Sequence, residues 1–187
     1  MSDVDVLESV LAKDEVLIRS VRSDQWGGPT PCPEYDVRTL VNHIVGGLQM
    51  FEAAANERVF DGDAAAFTAS DPVGDFRTSA AGVVAGWRAG GVDRAIRLIG
   101  FELPGETVLA MTLMEYLTHG CDLALATGQG VPFSEAELQL TLERARATLH
   151  DQFRGQGKSF GDVVDVPEDA PVLHQFLGFM GRRLEYP

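Results

Sequence analysis

Residues 106–127 restrict the fold most: Val108, Leu109, Met111, Leu113, Met114, Leu117, Leu123 and Leu125 spread apolar side chains nearly all round a helical wheel, and Gly128 follows directly. A helix apolar on every side has to be surrounded, so this stretch is expected to be the most buried helix of a helical assembly, with Gly128 as its C-terminal stop. Glu115, His119 and Asp122 nevertheless lie inside it. At 3.6 residues per turn, Glu115 and His119 differ by about 40° around the axis and Asp122 lies about 20° to the other side of Glu115, so all three share one face. Burying such groups unpaired is costly, and the face therefore calls for a partner or a solvent-lined cavity.

The rest of the chain supplies the surrounding helices. In residues 4–21, Val6, Leu7, Val10, Leu11, Leu17, Ile18 and Val21 recur at spacings of three and four, an amphipathic helix. Residues 25–35 hold two glycines and three prolines and read as a loop of some rigidity. Asp36 is placed to cap a second helix marked by Val37, Leu40, Val41, Ile44, Val45, Leu48 and Phe51, with His43 beside its apolar stripe. After an irregular connection at 56–70, Asp71 and Pro72 open a third helix carrying Phe76, Ala80, Val83, Val84 and Trp87 and ending near Gly90. Residues 96–103 fit a strand or an irregular loop equally well. Ser134 and Glu137 form a capping box at the head of a charged, surface-type fifth helix that ends before Gly155. A glycine-rich loop at 155–161 leads to a brief extended run at Val163, Val164 and Val166, and Asp169 is expected to cap a short last helix. The expected architecture is all-α, an antiparallel four-helix bundle with an additional short C-terminal helix, in a single domain over residues 1–187.

Composition narrows the function. Fifteen Lys and Arg against 28 Asp and Glu give a net charge of −13, which repels phosphate backbones and anionic membrane surfaces. The N-terminal residues lack the basic flank of a signal peptide, and no apolar run approaches the roughly 18 residues of a membrane span. Cys32 and Cys121 are too few for a disulfide framework, so a cytoplasmic setting without nucleic-acid or membrane partners is expected. Phosphate-binding glycine loops are absent, since Gly46 and Gly47 fall inside a helix and residues 86–91 follow no strand.

His43, His119, His150 and His174 are the only histidines. Two imidazoles and one carboxylate suit zinc and leave a fourth coordination position open. Glu115 and His119 supply two ligands from one helix, His43 a third from a facing helix, and Asp122 would hydrogen-bond a ligand imidazole to fix its tautomer. The competing reading is a simple i,i+4 pair beside a hydrogen-bonded core histidine. His150 and His174 have structural roles by position. Cys32 sits in a Pro-held loop with nothing basic adjacent in sequence to lower its pKa, and Cys121 is expected to pack.

Trp26 followed by Thr30-Pro31-Cys32-Pro33, and the run from Tyr35 to Gly47 around Asn42-His43, resemble the N-terminal signature of mycothiol-dependent maleylpyruvate isomerase-like proteins in the DinB-like metal-binding superfamily. The run from Glu115 to Ala124 with Thr127-Gly128 resembles that family's second metal motif, and Gly181-Arg182 its closing motif. The resemblance implies a DinB-like bundle with metal ligands at His43, Glu115 and His119. The sequence departs from the pattern at Cys121, where the family often has Trp, and its 187 residues leave little room for the additional C-terminal domain that contributes to the site in isomerases of this type.

These readings combine into an expected metal-dependent, thiol-dependent transferase or isomerase, with zinc as the metal and mycothiol or a similar low-molecular-weight thiol as cofactor. Arg182 would meet a substrate or thiol carboxylate, a surface placement being its competing role. The alternative is a non-enzymatic metal- or ligand-binding bundle, compatible with a homodimer, and a third reading is a helical interaction module without metal.

Overall fold

The computed structural model describes residues 2–155 and 160–183. Helix α1 (Asp3–Arg19) starts at a capping box in which Ser2 and Asp5 satisfy each other's backbone N–H. Asp36 caps α2 (Val37–Ala55) by accepting from the Thr39 N–H, and Asp71 with Pro72 opens α3 (Pro72–Gly90). Helix α4 (Gly105–Thr127) ends at Gly128, whose φ of 66° is the left-handed conformation that glycine adopts without penalty. α1 and α2 each pack against both α3 and α4, so four helices enclose one core. Leu7, Leu11, Leu40, Ile44, Leu113 and Leu117 interlock there, all under 3% exposed. The mostly helical DinB-like fold is as expected, and α4 is buried along nearly its whole length.

Between α3 and α4 the undecided stretch is a β-hairpin, β1 (Ala95–Leu98) antiparallel to β2 (Phe101–Pro104) with Ile96 opposite Leu103. Four residues per strand are too few to show alternation. Its two-residue turn, Ile99-Gly100, has φ of 49° and 81°, a geometry suited to Asn-Gly; a β-branched residue there costs roughly 1–2 kcal/mol.

Helix α5 (Glu135–Thr148) has the expected capping box, and it is less superficial than its charges suggest. It packs on α4 and on α6 (Val172–Phe179), burying Leu138, Thr141, Leu142, Ala145 and Glu137, the last held by Ser9, Lys13 and Ser134. A 3₁₀ turn (Asp151–Phe153) follows. One expectation fails in the C-terminal part. Asp169 does not cap the last helix, because Pro171 stands between them; α6 starts after Pro171, whose fixed φ and missing N–H suit a helix entrance. In the run of Val163, Val164 and Val166, Val164 donates to the Gly178 carbonyl at the end of α6. Of the 155–161 loop, residues 156–159 lie outside the described residues.

Candidate metal centre

The α2–α4 contact brings His43 opposite Glu115 and His119. His43 Nε2 lies 2.7 Å from Glu115 Oε1, and His119 Nε2 lies 3.4 Å from the same oxygen. The ligand atoms of the three residues all fall within 4.8 Å of one another. The His43 and His119 rings meet edge to face with centroids 4.9 Å apart. Two imidazole nitrogens and one carboxylate oxygen are the donor set that zinc and similar divalent ions accept, so the residues fit such an ion. His43 and Glu115 retain 28% and 22% side-chain exposure, leaving the cluster reachable from solvent, while His119 retains 10%.

Behind His119 lies a buried charged relay. Its Nδ1 is 3.0 Å from Asp122 Oδ2, where an N–H donates to the carboxylate. Asp122, with no exposed side-chain surface, also accepts from Arg182 Nη2 at 2.7 Å and Nε at 3.1 Å. Arg182 Nη1 donates to the Met180 carbonyl. Arg182 is thus neither on the surface nor free toward solvent: the carboxylate it meets is internal. Burial lowers the His119 pKa, but Glu115, Asp122 and their hydrogen bonds outweigh it and raise the value to about 9. Burial likewise opposes ionisation of Glu115 and Asp122, yet the imidazoles and Arg182 hold both below the usual carboxylate range.

Before His43 stands the Pro-rich loop. Tyr35 places its ring 5.1 Å from the His43 ring and 6.4 Å from that of His119, with its hydroxyl 3.5 Å from His43 Nδ1. Thr30 anchors the loop, its hydroxyl donating to the carbonyls of Cys32 and Tyr35 at 2.8 Å. The same loop brings Cys32 into the electrostatic reach of Arg182 and Asp122; burial pushes the thiol pKa up against the pull of Arg182. Cys121 is fully buried, as expected of a packing residue. His150 and His174 lie away from the cluster, beside the 3₁₀ turn and in α6.

Sequence reasoning missed Tyr35 and Asp14. Asp14 is 1% exposed, neither of its carboxyl oxygens has a hydrogen-bond partner among the described residues, and burial raises its pKa well above the ordinary value. It faces α4 at Gly120, where a Cβ would collide with Asp14 and Phe133. The signal was present: position 14 falls on the apolar stripe of α1, between Val10, Leu11, Leu17 and Ile18. A charged residue on that stripe marks a buried acid.

Two relatives show how far the likeness extends. The uncharacterized proteins MT0763 and Rv0738 of Mycobacterium tuberculosis (strains CDC 1551 / Oshkosh and ATCC 25618 / H37Rv) are each 35% identical to this chain over 174 residues, covering 89% of it and 90% of the relative. No solved structure matches. The family model described as the mycothiol maleylpyruvate isomerase N-terminal domain matches residues 15–124, a span that contains His43, Glu115, His119 and Asp122 and stops short of Arg182. The chain belongs to the mycothiol maleylpyruvate isomerase N-terminal domain family, within the DinB-like superfamily.

Proposed function

We propose that this protein binds one divalent ion, zinc, through His43, Glu115 and His119, and uses it with mycothiol or a similar low-molecular-weight thiol in a transferase or isomerase reaction. The observation that carries the reading is the convergence of two imidazoles and a carboxylate within 4.8 Å, partly open to solvent, in a chain of this family. A divalent ion held there supplies Lewis acidity that lowers the pKa of a thiol joining the open position. The protein's own residues prepare the site. Asp122 keeps the His119 proton on Nδ1 and turns Nε2 toward the centre, Arg182 balances the Asp122 charge, and Glu115 stays ionised between the two imidazoles. In this reading Arg182 acts through Asp122 rather than on the thiol itself. The remaining expectations form part of the same proposal: a single-unit cytoplasmic protein of small-molecule substrates, which a surplus of thirteen negative charges keeps from nucleic acid, with homodimerisation compatible.

Metal analysis of the protein purified without added metal, beside His43→Ala and His119→Ala, tests the site. One ion per chain, lost in both variants, is the expected result; equal content in all three removes the site. Titrating the cobalt-substituted protein with mycothiol then tests the thiol. A sulfur-to-cobalt charge-transfer band supports thiol chemistry, and its absence at saturating thiol overturns that part of the reading.

A further inference from the structure

We propose that Tyr35 is the positioning residue of His43: its hydroxyl, able both to donate and to accept, lets the imidazole carry its proton on either nitrogen and so present the Nε2 lone pair to an ion. The inference rests on the metal reading of the cluster and assigns a role to a residue outside the ligand set.

The two histidines have Nδ1 partners of different chemistry. Asp122 is an acceptor only, so it fixes the neutral His119 ring in one tautomer, with the proton on Nδ1. Tyr35 imposes no such choice. With His43 Nε2 2.7 Å from the Glu115 carboxylate, the Nε2–H donates to Oε1 and Nδ1 accepts from the Tyr35 hydroxyl. To ligate an ion, Nε2 must give up that hydrogen. The N–H bond at Nε2 breaks, one at Nδ1 forms, the ring stays neutral, and the new Nδ1–H donates to the Tyr35 oxygen. A carboxylate in place of Tyr35 would resist the first arrangement, and an apolar ring would support neither.

Tyr35 is held for this task. Its N–H donates to the Cys32 carbonyl at 3.0 Å, its carbonyl accepts from the Thr30 hydroxyl, and Asp36 next to it caps α2, the helix that carries His43. The phenol is therefore fixed at the entrance of the helix that carries the imidazole. Their tilted rings, 39° apart, also hinder rotation of His43. Tyr35→Phe keeps the ring contact and removes only the hydroxyl, which separates the hydrogen bond from packing.

The test uses the full chain and Co²⁺ alone as probe. Tyr35→Phe is expected to weaken Co²⁺ affinity about 10-fold or more, in the range seen when groups supporting a ligand are removed, and to shift the cobalt visible spectrum, while the thermal midpoint stays near wild type. In the Zn²⁺-loaded protein, histidine ¹⁵N spectra should show a protected Nδ1–H on His43 that Tyr35→Phe exposes to exchange. Wild-type affinity, an unchanged spectrum and an unchanged His43 Nδ1–H in Tyr35→Phe overturn the inference and leave the metal reading standing. A wild-type protein that takes up no Co²⁺ overturns both.

Discussion

His119 and His43 face the same carboxylate, but the molecule supports them in opposite ways. His119 rides on the most buried helix and donates its Nδ1–H to a fully buried Asp122 that Arg182 grips with two nitrogens. His43 stands half-exposed on α2 and meets a neutral hydroxyl from an irregular loop. One half of the cluster is set by charges in a dry environment, where they interact strongly and where a missing partner is expensive. The other half is set by a group that tolerates either proton position. In the proposed reading, rigidity on one side and adaptability on the other suit a centre that would hold an ion while exchanging what joins it.

The sharpest way to break the comparison is Asp122→Ala. It leaves the Arg182 guanidinium buried without its carboxylate, and urea unfolding should show a loss of about 3–5 kcal/mol, far beyond anything Tyr35→Phe produces. If the two variants destabilise equally, the contrast between the charged and the neutral support is wrong.

Asp14 sharpens the charged side. Its folded pKa is raised, so the carboxyl is easily kept neutral at low pH and its stability cost grows as pH climbs above the ordinary 3.8. Asp14→Asn should stabilise the fold by about 1–3 kcal/mol at pH 8 and by less at pH 4; a pH-independent difference in unfolding free energy would show that Asp14 has a donor after all.

A further effect separates the histidines by proton count. With the His119 pKa raised from 6.5 to about 9, chelator-treated protein gains stability from this group that is fully present below pH 6.5 and is lost as pH rises through 9. An ion competes with that proton, so Zn²⁺ affinity should fall about tenfold per unit as pH drops below about 9, a slope read by competition titration. A flat profile between pH 6 and 8 would remove His119 from the ligand set.

Much of this was legible in the chain. Spacing marked the bundle helices, and the 40° offset of Glu115 and His119 placed them together before any fold was known. The hairpin was not legible, because four-residue strands carry no measurable period. Tyr35 was hidden because its loop has no periodicity, and Arg182 because its partner lies 60 positions away. Asp122 was legible as a costly acid on a buried face, to be met by an imidazole; that an arginine would meet it as well was not.

The Arg182 contact reaches past the residues the family model spans. It rivets the turn just after α6 to the carboxylate that steadies His119. The imidazole on the central helix thus depends, through two side chains, on a segment remote from it in the chain.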